Sequence, residues 1–407
     1  MAEPTVPSDI RRASNGGSAE RRAWIAVRRH LIANRHDLTR MAARLYPSVP
    51  AVAGTRLLAR PGWILNRPRP LDDVALIWEP DPLPPVVDGT GPASLPLRPR
   101  AAAGGRFASY ADVLGALDRP AMFDDRTCYR LLDVLPGIGV APRLVFGAGH
   151  YFDGINTGEA LAHEFAAATM PGPPSSVGTK PPPESEPALP PMRSLELRRR
   201  IGDPCDAGRR AMLPAISVLT VRHDRRTGDA RMLLHWRDPA RVAANNGLFQ
   251  VVPVGVFQPS AEGRWNLLSD FDVERSIVRE MSEELLGVSE DHGTARAALD
   301  YETWPFYRDW REARARDGLT LSWLGLGVDP LTLSTDLLAV AVFDAEVFDQ
   351  MFPRLVHHNQ EGEVVGAAFT AANVLRYSTV EPMQPAGAAL LRLAWKHRGE
   401  LLGYTSA

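Results

Sequence analysis

Between Val273 and Leu286 the apolar residues Ile277, Val278, Met281 and Leu285 recur at the three-to-four spacing of one helical face, and Gly287 closes the stretch. That face must be buried against the rest of the protein. On a neighbouring stripe, Glu280, Glu283 and Glu284 fall at i, i+3 and i+4. Like charges at this spacing weaken a helix by roughly a few tenths of a kcal/mol per pair, so three together call for an offsetting charge. A hard divalent cation such as Mg²⁺ or Mn²⁺ prefers carboxylate oxygens, and a helix sets the spacing of its ligands. A solvated acidic face is the plainer alternative.

The order Arg279-Glu280-x-x-Glu283-Glu284, followed by Gly287 and Val288, resembles the helical half of the Nudix box. Upstream, Met232 to Arg237 resembles the strand that opens that fold, and Leu248 to Gly255 resembles the family's aromatic-x-x-Pro-Gly-Gly approach to the box. The pattern is degenerate. Leu285 and Leu286 separate the Glu-Glu pair from the glycine where the family has one residue. Phe271 stands where the family has a glutamate, with Asp270, Asp272 and Glu274 nearby but out of register. The connection from Gly255 to Arg279 is longer than the family's, its extra length falling in Gln258 to Asp270. The resemblance runs from Arg209 to the C-terminus.

It implies an α/β class and a Nudix-like α/β/α sandwich with a mixed sheet in the C-terminal half, preceded by a mainly helical or mixed N-terminal region. By the same resemblance Glu280, Glu283 and Glu284 would hold Mg²⁺ or Mn²⁺, and Glu280 or Glu361 would take a proton from water. Arg279 would hold the box together through hydrogen bonds, and the loop with Pro253, Gly255 and Phe257 would wall the site. Glu361 or Glu363 matches a further family glutamate by order along the chain; His357 and His358 beside them read as a polar loop tip. The implied function is metal-dependent hydrolysis of a metabolite linked to a nucleoside diphosphate. A second reading is a catalytically weak or inactive Nudix-like protein that senses a nucleotide-type ligand, as in a transcriptional regulator. A third is a carboxylate helix without metal in an interaction protein.

Length and composition bound these readings. The 407 residues point to two domains, and a net charge of −2 argues against a chain that is basic overall. Lys180 and Lys396 are the only lysines, an arginine bias expected of a GC-rich bacterial genome. Cys128 and Cys205 are too isolated for a disulfide scaffold or a Cys-based zinc site and read as buried thiols. The first twenty residues lack an apolar signal region, and runs such as Leu337 to Phe343 are too short to span a bilayer. A cytoplasmic protein without membrane association is expected.

Along the chain, residues 1–19 read as a disordered tail, 20–169 as an N-terminal region, 170–193 as a Pro-rich linker or mobile loop, and 194–407 as the Nudix-like domain. From Glu20 a helical pattern sets Trp24, Val27 and Leu31 on one face; the other carries Arg21, Arg22, Arg28, Arg29, Arg35, Arg40 and Arg44. Such a face contacts DNA or a protein partner, or is simply solvated. The pieces around Pro61, Pro68 and Pro70 are poor candidates for sheet interiors. Gly147-x-Gly149 reads as a tight strand-to-helix turn, lacking the third glycine of a dinucleotide loop. His163-Glu164 fails as a zinc-protease motif because position 167 is Ala167. Ala215–Arg222 and Arg231–Trp236 read as paired strands around Thr227-Gly228-Asp229, and Ala386–Leu402 as an amphipathic helix.

Overall fold

Apolar residues at every position of Leu337–Phe343 suit a strand covered on both faces. A computed structural model describes residues 8–137, 141–171, 188–237, 247–288, 297–353 and 362–404. The first region holds α1 (Ser8–Ala33), α2 (Arg35–Ala43), β1 (Ile64–Pro70), β2 (Ala75–Trp78), α3 (Tyr110–Leu117), β3 (Thr127–Leu135), β4 (Arg143–His150), α4 (Tyr151–Gly154) and α5 (Ala160–Thr169). Then come α6 (Glu196–Ile201), β5 (Pro214–His223), β6 (Ala230–Arg237), β7 (Phe249–Val251), β8 (Val254–Val256), α7 (Arg264–Ser269) and α8 (Val273–Leu286). The chain continues with α9 (Pro305–Ala315), β9 (Leu319–Val328), β10 (Thr335–Asp344), α10 (Ala345–Met351), β11 (Gly362–Ala368), α11 (Ala371–Thr379), α12 (Pro385–Lys396) and α13 (Arg398–Leu401).

Among the described residues the large sheet runs β1-β9-β10-β5-β6-β11, with β7 on β6 and β8 on β5; β2-β4-β3 form a smaller sheet. β10 lies parallel to β5, from Thr335 opposite Pro214 to Asp344 opposite His223, and antiparallel to β9. The protein is thus of mixed α/β class. Strand alternation divides the helices between the two faces. Phe343 meets Trp310 of α9 and Phe348 of α10, and its neighbour across β5, Arg222, hydrogen-bonds Asp349 of α10. α8 lies beside α9, since Trp310 Nε1 donates to Glu274 at 2.7 Å. On the opposite face, Val342 and His223 line a groove with Leu401 and Leu402 at the end of α13.

The first region lends a strand to this sheet. β1 pairs with β9 at the sheet edge, where Pro68 and Pro70 cost no ladder bond a central strand would need. Among the described residues the larger hydrophobic cluster runs from Trp24 to Leu402, and a smaller one gathers Leu31 and Leu38 with Phe165 and Leu331. Cys128 and Cys205 are both free and buried. Among the described residues no helix is long and apolar enough to cross a membrane.

Several local expectations change. α1 begins at Ser8, inside the stretch read as a disordered tail. Contacts to Arg100 hold its middle: Glu20 accepts from the Arg100 backbone N–H at 2.9 Å, and Arg21 donates to the Arg100 carbonyl at 2.9 Å. Gly147 and Gly149 are not a turn but lie within β4. A Cβ on Gly147 would lie 2.7 Å from Pro82 Cγ, so close packing explains that glycine. The C-terminal helix is broken at His397 into α12 and α13.

The arginine-rich face of α1 and α2 is partly consumed inside the protein. Arg28 and Arg35 are buried, and both pair with Glu159, Arg35 at 2.9 Å; Arg28 also reaches Asp118 at 3.1 Å. His163 stacks on Trp24 at 4.9 Å and lies 3.2 Å from the Tyr110 hydroxyl. Glu164 accepts the Leu197 and Arg198 backbone N–H groups at 2.7 and 3.1 Å, which caps the first turn of α6.

Candidate functional site

The carboxylate helix forms where its local signals place it. Asp272 caps α8 by accepting the Arg275 N–H at 3.0 Å. Gly287, in the left-handed conformation at φ 68°, ends it, with its N–H on the Glu283 carbonyl and the Val288 N–H on the Ser282 carbonyl. Ile277, Val278, Met281 and Leu285 are fully buried as the spacing requires.

The three glutamates go to different surroundings. Glu280 lies with its carboxylate against Gly255 of β8, where a Cβ would come within 2.0 Å of Glu280 Cδ. Glu284 is buried; its Oε1 accepts the Val254 N–H at 2.9 Å and its Oε2 lies 3.8 Å from His235 Nδ1. Glu283 is partly exposed. A polar row continues behind Glu284: His235 Nδ1 lies 3.3 Å from Gln250 Nε2, and Gln384 Nε2 donates to Gln250 Oε1 at 3.1 Å. Sequence reading passed over this row. Its signal was a histidine and a glutamine, His235 and Gln250, inside otherwise apolar strands.

Arg279 is buried and holds the loop before the helix. Its Nη2 donates to the Gln258 carbonyl at 2.8 Å, and its Nη1 donates to the Tyr301 hydroxyl and lies 3.5 Å from Asp270 Oδ1. Tyr301 in turn donates to Asp270 at 2.8 Å, and the Ser260 N–H donates to the other Asp270 oxygen at 2.7 Å. Burial pulls the Arg279 pKa down, but Tyr301 and Asp270 outweigh it and the net shift is upward. The guanidinium therefore stays charged inside the protein.

The carboxylates near the missing family glutamate all have structural partners. Asp270 faces Arg279 and Tyr301, Asp272 caps α8, and Glu274 accepts from Trp310 and Arg314. Phe271, in the glutamate's place, packs on Tyr129 at 5.1 Å and Trp78 at 5.3 Å. Of the expected wall, Pro253 is buried behind a cis peptide bond and Gly255 borders Glu280. Phe257 is a core residue and not a wall: it is fully buried against Tyr129 at 4.5 Å and Phe146 at 5.4 Å. Glu361, His357 and His358 lie outside the described residues.

Carboxylates are the right donors for Mg²⁺ or Mn²⁺, yet the described side chains do not converge as a cation cage requires. Among them, no group of three or more His, Cys, Asp or Glu is arranged to hold a metal ion. Glu284 commits one oxygen to a backbone N–H. Neither a cavity of about 160 Å³ beside α12 nor an open groove of about 880 Å³ beside α13 is lined by Glu280, Glu283 or Glu284. Comparison of the chain with protein-family models and with curated proteins finds no match.

Proposed function

We propose that the large sheet and its helices form a Nudix-like α/β/α sandwich that binds a nucleotide-type, diphosphate-bearing ligand beside α8 with little or no hydrolysis. The carrying observation is the use of the glutamates in packing. Glu284 holds the Val254 N–H, and Glu280 fills the space left by Gly255. Both carboxylates thereby brace β8. The nearby carboxylates that would substitute for the family's missing glutamate are engaged elsewhere. A missing group at a catalytic site costs roughly 3–4 kcal/mol of transition-state stabilisation, which slows turnover by about two to three orders of magnitude.

Hydrolysis assisted by Mg²⁺ or Mn²⁺ is the second reading. It is favoured by Arg279, which binds the Gln258 carbonyl in the box-holding manner the resemblance implies. Glu361 would supply its additional carboxylate. In a regulatory form of the first reading, Arg22, Arg29 and Arg40 remain exposed for DNA or a protein, whereas Arg28 and Arg35 are spent on Glu159 and Asp118.

The deciding experiment follows phosphate release from a panel of nucleoside diphosphate conjugates with Mg²⁺ or Mn²⁺, alongside thermal unfolding with each compound. The expected outcome is a saturable rise in Tm with at least one compound and no metal-dependent release. Release that disappears in both Glu283→Gln and Glu284→Gln would establish the hydrolase instead. Neither a Tm response nor release would reduce the carboxylate helix to a structural element.

A further inference from the structure

A cavity of about 160 Å³ opens where α2, the turn at residues 54–56, the end of α11 and the start of α12 meet. His36 and Thr39 come from α2, Arg56 from the turn, Ser378 and Thr379 from α11, and Pro385 from the first turn of α12. No carboxylate lines the cavity; the Arg56 guanidinium, the His36 imidazole and the Thr39 hydroxyl are its donors, whereas the Ser378 and Thr379 hydroxyls already donate to the Leu375 carbonyl and Ser378 also accepts from Arg392. The α12 residues on its wall are Pro385, which has no N–H, and Ala388, whose N–H donates to the Gln384 carbonyl at 3.0 Å, so this 12-residue helix contributes only the positive end of its dipole to the same field.

We propose that this cavity binds a phosphate-sized oxyanion, held by the Arg56 guanidinium and the His36 imidazole against the first turn of α12. Among the described residues, neither side chain has a hydrogen-bond or ion-pair partner. The one acid that acts on both, Asp37, is exposed and pairs with Arg40 at 3.4 Å. Burial is the first cause that lowers the pKa of each; Arg40 lowers both further, and Arg56 also lowers that of His36. Arg56 thus holds a positive charge with no ion-pair partner, and His36, kept neutral at pH 7 by burial and by Arg56, places an imidazole beside it. A tetrahedral oxyanion accepts from a guanidinium, a neutral imidazole N–H and a hydroxyl at once, and planar bidentate recognition by arginine suits it. This site is separate from α8, none of whose residues lines the cavity.

The test titrates inorganic phosphate into the full chain at constant ionic strength, read by calorimetry and by thermal unfolding. Saturable binding is expected in wild type. It should weaken at least about tenfold in Arg56→Gln, as loss of a charge-assisted contact predicts, and recover in part in Arg56→Lys. His36→Asn should weaken it as well, and Arg29→Gln on the exposed face of α1 should leave it unchanged. Arg56 makes no bond that folding depends on and its charge is disfavoured by burial and by Arg40, so without phosphate Arg56→Gln should unfold no more easily than wild type. Methyl phosphate run in parallel separates the sources: equal binding points to a phosphorylated compound, exclusion to the free ion. Equal phosphate affinity in wild type and Arg56→Gln, or the same response to chloride, would overturn the proposal.

Discussion

A Cβ built on Gly255 would lie 2.0 Å from Glu280 Cδ and 2.2 Å from each carboxylate oxygen, so the absence of a side chain at 255 sets where that carboxylate sits. The obstacle is the flexible end of a glutamate and not backbone. Gly255→Ala should therefore swing Glu280 away at a cost of about 1 kcal/mol, the scale of an unfavourable rotamer. Urea denaturation measures it. A loss above about 3 kcal/mol would mean that Glu280 is held rigidly and that the backbone of β8 has to move.

Arg279, Tyr301 and Asp270 form a buried polar unit in which the guanidinium and the carboxylate offset each other. Arg279→Met removes the cation and leaves Asp270 buried, so a destabilisation of about 3–5 kcal/mol is expected. Tyr301→Phe keeps both charges and loses only the hydroxyl bridge, for which about 1–2 kcal/mol is expected. An Arg279→Met variant as stable as Tyr301→Phe would show that the ion pair contributes little.

Glu159 carries the charges of both Arg28 and Arg35. Burial pushes its pKa up, but Arg35 and Arg28 overcome this and hold it down at about 2. With a folded value below the ordinary 4.5, the carboxylate binds protons more readily in the unfolded chain. Its stabilisation is present above pH 4.5 and is lost as pH falls towards 2, on the order of 3 kcal/mol in all. Glu159→Gln should be destabilised at neutral pH and should lose stability less steeply across that window, as read by acid titration of the unfolding free energy.

Asp336 acts with the opposite sign. Its side chain accepts from Ser217 Oγ at 2.8 Å, and burial, aided by the nearby Asp329, raises its pKa to about 7. The folded protein then holds a proton that the unfolded chain, at 3.8, releases. Stability from this group is full below pH 3.8 and declines as pH rises to about 7. Asp336→Asn, neutral at every pH and of the same shape, should be the more stable form at pH 8 by roughly 1–4 kcal/mol, and flatter between pH 5 and 7. An unchanged slope in that variant would assign the dependence to another group.

Parts of the fold with local causes were legible in the sequence. α8 was readable from Val273 because its apolar spacing and its closing glycine lie within one short stretch. The β5–β6 hairpin followed from strand patterns on either side of Gly228, and β10 from its unbroken apolar run. β1 was harder, since prolines that bar a central strand are tolerated at an edge, and only pairing with β9 reveals the edge. The candidate site was legible as a composition of side chains but not as an arrangement. Nothing near residue 257 in the chain tells that Tyr129 and Phe146, from the first region, enclose Phe257.

The sequence by itself determined the existence and apolar face of elements with strong local signals, such as α8 and β10, because backbone hydrogen bonds and side-chain periodicity act over a few residues. Only the tertiary structure decided what each charge does. Arg28 and Arg35, read as an outward basic face, turn inward to Glu159, more than a hundred positions away in the chain. Glu280 and Glu284, read as metal ligands, meet Gly255 and the Val254 N–H. A charged side chain takes its role from the groups that replace its water, and distant segments supply those groups only once the chain has folded.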